Sequence, residues 1–212
     1  MKAELTRGQD AAVCAGIGVG GALVFLFAFP KGSITTFMHE VLKLPGPGAG
    51  IALVLGPFLV VVALVSALLH RGVGASLVAS LAFAASHTVA VKLLGISADS
   101  KGAFGSALFV AAIAVFGVAA EAVMVLSRRA RTLWRCLLAG ALANASLLLF
   151  YWVLIFPRTA RWVWWGDVPL LMGLCLAAGL VSGGFACVLF KSLSRTVALS
   201  QQGADHVRSP RL

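Results

Sequence analysis

His87, Asn144 and Glu121 stand inside stretches of this chain that are otherwise apolar, and their side chains are the ones there best suited to chemistry. A polar group at that depth is costly unless it faces a bundle interior or water, so each of the three needs a partner. Glu121 is the one acid well inside an apolar run. It lies seven residues before Arg128, about 10 Å of helix rise. A buried carboxylate there would serve as a ligand, proton or helix-pairing group, or as one half of an ion pair with an Arg of a neighbouring helix. His87, between Ser86 and Thr88, offers an imidazole to a ligand or to a hydrogen bond in the interior. Asn144, the single Asn of the chain, would bond a substrate or tie two helices together. The sequon Asn144-Ala145-Ser146 carries no meaning at such depth.

Tyr151, Trp152, Trp162, Trp164, Trp165 and Asp167 gather around one inter-helix loop. They read either as an interfacial aromatic belt or as an aromatic box with a polar partner, able to stack a flat organic ligand. Small residues recur at four-residue spacing: Ala11 and Ala15, Ala12 with Gly16 and Gly20, and Gly179 with Gly183. That spacing lets helix backbones approach closely, inside the bundle or against a separate subunit. No protease, hydrolase, P-loop or dinucleotide motif is present, so no catalytic residue and no cofactor is expected. The four cysteines, Cys14, Cys136, Cys175 and Cys187, form no C-x-x-C pair and fall in apolar segments. They read as buried apolar filler rather than as a metal site.

The elements that must hold these residues follow from hydropathy. Hydrophobic residues make up 60% of the chain and charged ones 11%, against about 25% charged in soluble domains. Lipid must therefore be the solvent. Six segments are long and apolar enough to span: 11–30, 51–69, 72–94, 103–127, 136–156 and 168–190. The expected fold is an all-α integral membrane protein, a single domain over residues 1–212. The stretch from Ala11 to Pro30 is kept as the first span because no A-x-A site marks it as a cleaved signal peptide.

With the N-terminus inside, eleven Lys and Arg fall on the inner side and six on the outer, which predicts N-in and C-in topology. The net charge of +10 then reads as orientation signal and contact to anionic lipid, not as a nucleic-acid surface. Between the first two spans lies an outer loop, 31–50. In it Ile34, Phe37, Met38, Val41 and Leu42 recur at helical spacing opposite His39, Glu40 and Lys43, the pattern of a short interfacial helix. The Pro/Gly-rich stretch from Leu44 to Gly50 leads into the second span, with a kink expected at Gly56-Pro57. The residues from 191 to 212 read as a polar cytoplasmic tail.

Three features together resemble the substrate-binding S component of energy-coupling factor (ECF) transporters, and most nearly its hydroxymethylpyrimidine/thiamine-precursor type. They are the Leu44–Gly50 stretch followed by Gly56-Pro57, the run Gly117-Val118-Ala119-Ala120-Glu121 leading to Arg128, Arg129 and Arg131 and then Leu138-Ala139-Gly140, and the pair Ala11-x-x-x-Ala15. The resemblance implies a non-enzymatic subunit of a prokaryotic plasma membrane that captures a vitamin or small metabolite from outside. A membrane scaffold and two ABC-type ATPases would energise it. It further implies that the 31–50 loop acts as a lid and that Ala11 and Ala15 dock on the scaffold. Substrate would meet His87, Asn144, Trp162, Trp164, Trp165 and Glu121. Two other classes stay open: a self-contained secondary carrier, which calls for internal repeats and more intramembrane charge, and a structural subunit of a membrane complex, for which small-residue faces suffice.

Overall fold

The computed structural model describes residues 2–29, 37–44, 48–70, 73–94, 107–128, 130–159 and 165–208, with side chains described for all of these except 2–7, 37, 39, 159 and 195–208. Six helices are long and apolar enough to cross a membrane, and the protein is multi-pass and all-helical among the described residues. They are α1 (Lys2–Ala28), α2 (Gly56–Leu69), α3 (Ala75–Leu93), α4 (Ala107–Leu126), α5 (Thr132–Phe150) and α6 (Val168–Arg208). A π-helical turn, Ile51–Leu55, leads directly into α2, and another, Tyr151–Ile155, extends α5.

Six crossings return both termini to one end of the bundle. That end is called here the termini end, and the other the far end. Helices α1, α3, α4, α5 and α6 pack in an arc, each against the next, and α2 lies across the arc in contact with all five. Its composition explains the position. The run from Leu59 to Val65 is apolar on every side and Ser66 returns its hydroxyl to Val62 O at 2.9 Å, so no face of α2 requires water. Phe109, Ile113 and Phe116 of α4 and Ala139, Ala143 and Leu147 of α5 complete the core around it.

The most extensive interface joins α5 to α6. Its cause is three glycines. A Cβ on Gly140 would overlap the Gly179 carbonyl oxygen, and one on Gly183 would overlap the Cys136 carbonyl oxygen, so the two backbones touch. Contact of this kind replaces the hydrophobic driving force that lipid cannot supply between helices. Gly18 of α1 meets the Ala79 carbonyl of α3 in the same way.

Several boundaries differ from those expected. α1 starts at Lys2 rather than residue 11, and α5 starts at Thr132 rather than 136. Polar residues at a helix end lower hydropathy without breaking the helix, because their backbone groups still bond along the axis. For the same reason the segment after 190, read as a tail, continues α6 as helix to Arg208. Residues 195–208 carry it about 20 Å past the apolar span that ends at Ser194. Of the expected interfacial helix only 37–44 is described. It is a single π-helical turn, Phe37–Val41, closed by the Leu44 N–H on Met38 O at 3.0 Å.

Candidate functional site

The kink expected at Gly56-Pro57 takes a specific form that places Asn144. In the turn before α2 the Gly56 N–H reaches Ile51 O, five residues back. Continued at that spacing, the next donor to Ala52 O would be residue 57, and Pro57 has no N–H. The orphaned Ala52 carbonyl is instead met by Asn144 Nδ2 at 2.9 Å, and the same nitrogen donates to Cys175 O of α6 at 2.8 Å. Asn144 is wholly buried and joins α5, α6 and the turn before α2 at one point. A Cβ on Gly56 would overlap Asn144 Oδ1, an atom that has no hydrogen-bond partner. Oδ1 is therefore the part of Asn144 left to accept a hydrogen bond.

His87 occupies a second node in the far half of α3. It is 4% exposed. Its ring stacks on Phe83 (6.0 Å, 12°) and packs against Phe109 of α4 at 5.0 Å and Phe25 of α1 at 6.2 Å. Phe58 of α2 joins Phe25 at 5.3 Å and Phe83 at 6.2 Å, and Phe29 joins Phe25 at 5.2 Å. The imidazole thus packs among aromatic rings drawn from four helices, one polar group in an otherwise apolar setting. The cluster was partly legible. Phe25 and Phe29, and Phe83 and His87, are four residues apart and so share a helix face.

Residues 38, 44, 48 and 49 rest on the far ends of α5 and α6. Met38 and Ala49 pack with Leu171, against Leu44, Leu53, Val54 and Trp152. Gly48 has φ +114°, and a Cβ there would come within 2.9 Å of Leu148 Cδ1 and 3.1 Å of Trp152 Nε1. Both the backbone conformation and the space require glycine. Trp165 opens the short 3-10 turn before α6 and is exposed, while Trp162 and Trp164 lie outside the described residues.

Glu121, Ala11 and Ala15 stand at the termini end, away from His87. Glu121 Oε2 accepts the backbone N–H of Ser76 at 3.0 Å, in the first turn of α3. Sequence left open an ion pair with Arg; among the described residues no Arg or Lys lies in ion-pair range, and the carboxylate serves as a helix cap. The free N–H groups and dipole of an α-helix N-terminus provide the complementary charge at closer range. Arg135 does the converse, donating from a guanidinium NH2 to Met124 O at 2.8 Å near the α4 C-terminus. Glu121→Ala should cost about 1–2 kcal/mol of stability and Glu121→Gln, which keeps the acceptor, about 0.5 kcal/mol. Unfolding in mixed detergent micelles measures both, and equal losses would show that the bond to Ser76 contributes nothing.

Ala11 is exposed and Ala15 half-buried, on the flank of the α1 edge formed by Cys14, Gly18, Ala22 and Phe25. Directly opposite that edge Ala12, Gly16 and Gly20 are exposed, with nothing within 4 Å of a Cβ built on either glycine. A groove of about 360 Å³ between α4 and α5, lined by Val115, Ser146, Leu149, Phe150, Val153 and Leu154, opens on the outside of the bundle and has the apolar walls of a lipid-facing surface. Among the described residues no three His, Cys, Asp or Glu side chains are grouped to hold a metal ion.

No protein-family model and no curated protein matches the sequence. A solved structure described as the crystal structure of an S-component of ECF transporter superposes with a TM-score of 0.65, covering 95% of this chain and 98% of that one at 19% sequence identity. Six membrane-length helices, arranged alike over nearly the full length of both chains, give this protein the fold of that S-component.

Proposed function

We propose that the protein is the substrate-capture subunit of an ECF-type importer for a vitamin or small metabolite, itself non-catalytic and energised by a separate membrane scaffold and two ABC-type ATPases. The observation that carries this reading is the likeness in fold over almost the whole of both chains. In this reading the protein lies in a prokaryotic plasma membrane with its termini end in the cytoplasm, as the Lys and Arg balance favours. Substrate enters at the far end beneath the 31–50 segment. The substrate is an uncharged or cationic aromatic metabolite, with a hydroxymethylpyrimidine or thiamine precursor the nearest class. It stacks on Trp162, Trp164 or Trp165 and bonds His87 and, through Oδ1, Asn144. Glu121 acts on this site from the termini end, by holding α3, the helix that carries His87.

Co-purification of the tagged protein from its native host, with mass spectrometry of bound proteins and small molecules, tests the reading. A membrane scaffold with ABC-type ATPases, or a tightly held aromatic metabolite, is the expected result. A solitary protein with no ligand would overturn it in favour of a secondary carrier, and a stable complex with other membrane proteins in favour of a structural subunit. Replacing Ala11 and Ala15 together by Phe should abolish uptake, at least tenfold, and leave ligand binding unchanged, since those positions would meet the scaffold. Loss of binding alongside uptake would remove the docking assignment.

A further inference from the structure

We propose that the outer groove between α4 and α5 holds an acyl chain of an anionic phospholipid, with Arg158 at its rim taking the phosphate. The proposal rests on the outside of the bundle and not on the transport reading. The groove, of about 360 Å³, is bounded on α4 by Val115 and on α5 by a stripe from Ser146 to Leu154. That stripe rises about 12 Å along the helix axis. It lies in the half of the Thr132–Ile155 span nearer the far end.

The sequence sets both the wall and the rim. Residues 146, 149, 150, 153 and 154 recur at three- and four-residue spacing, so they share one face of the helix. The π-helical turn Tyr151–Ile155, closed by the Phe156 N–H on Tyr151 O at 2.9 Å, carries that face to the end of the span. Ile155 and Phe156 then turn into the core, while Arg158, four residues after Leu154, is exposed and continues the groove's face. Arg158 is the first cation past the apolar span that ends at Ile155. Among the described residues no carboxylate lies in ion-pair range of it.

These features select the occupant. The Ser146 hydroxyl is turned back onto Ala143 O at 2.7 Å, so the wall spends its one hydroxyl on its own helix and the seated part must be apolar. A second helix would approach over small residues. Here Leu149 and Val153 stand out at 47% and 67% exposure, and the groove is shorter than a membrane span. A flexible hydrocarbon chain fills an uneven, one-leaflet trench of this kind. At the rim the guanidinium meets a phosphate in the fork geometry that suits it. A phosphatidylcholine headgroup brings its own cation to that rim, so an anionic headgroup is preferred.

Native mass spectrometry of the full-length protein, released from micelles holding equal amounts of phosphatidylglycerol and phosphatidylcholine, tests the proposal. One retained phosphatidylglycerol is expected, favoured over phosphatidylcholine by about fivefold. Arg158→Gln should bring that ratio close to one. Arg131→Gln, at an exposed cation of the termini end, should leave it unchanged. Val115→Phe and Leu149→Trp, which fill the groove from its two walls at exposed positions, should each remove retention of both lipids without lowering the midpoint of thermal unfolding. A preference that survives Arg158→Gln, or that falls equally in Arg131→Gln, would overturn the proposal. So would retention undiminished by both groove-filling variants, or a dimer in place of the lipid, which would make a second copy of the chain the occupant.

Discussion

Gly183→Ala should prevent α5 and α6 from docking and leave little folded protein. The added Cβ would overlap the Cys136 carbonyl oxygen, a backbone atom that cannot rotate away. Relief requires the helices to separate along the whole Gly140–Gly179–Gly183 contact, which also breaks the Asn144 bond to Cys175 O. Overpacking of a close-packed core costs about 1–3 kcal/mol where side chains absorb it, and more where backbone must move. The loss here should exceed about 4 kcal/mol, a range reserved for a few mechanisms of which this is one. Gly184→Ala and Gly173→Ala are the matched comparisons. At Gly184 the new Cβ meets only Leu137 Cδ2 at 3.4 Å, and at Gly173 nothing lies within 4 Å. Both should be neutral or stabilising by up to about 1 kcal/mol, since alanine is the better helix former. Yield of monodisperse protein in detergent and the midpoint of thermal unfolding distinguish the three. Equal behaviour at 183, 184 and 173 would mean that the helices do not touch as described.

Asn144→Leu should be the second large effect, despite a near match in volume. It removes the donor that meets the Ala52 carbonyl, whose helical partner is denied by Pro57. A buried carbonyl left without a donor costs about 1–3 kcal/mol, and no water in the surrounding apolar core replaces the lost bond. Pro57→Ala tests the explanation. It restores an N–H at residue 57, so the double variant Asn144→Leu/Pro57→Ala should recover about half of the loss or more. Unfolding free energies of the two single variants and the double form a double-mutant cycle. Strict additivity would show that Pro57 and Asn144 do not share the Ala52 carbonyl. Gly56→Ala should resemble Asn144→Leu, because its Cβ would occupy the position of Asn144 Oδ1.

Much of the architecture was legible in the residues alone, for a reason of solvent. In lipid a spanning backbone group left without a partner is costly, and a helix bonds nearly all of them within one segment, so an apolar run of sufficient length points to a helix. The second span illustrates this: residues 51–69 were expected and Ile51–Leu69 is found. Ends were less legible, because α1 and α6 run on through polar residues that hydropathy discounts. The identity of the polar residues worth attention, His87, Asn144 and Glu121, was also legible, since a polar group at membrane depth is conspicuous against its neighbours.

What each of those residues touches was decided only by tertiary structure. Asn144 bonds residues 92 and 31 positions away in sequence, and Glu121 caps a helix that starts 46 residues earlier at Ala75. No local pattern encodes such partners, because they depend on which helices the glycine contacts bring together and at what height. The same holds for the aromatic cluster around His87, whose i, i+4 pairs are visible on single helices while its closure needs α1, α2, α3 and α4 at once. Sequence by itself determined the solvent, the number of crossings and the residues that must find partners; the fold chose the partners, since hydropathy is a property of each segment and a hydrogen bond is a property of two.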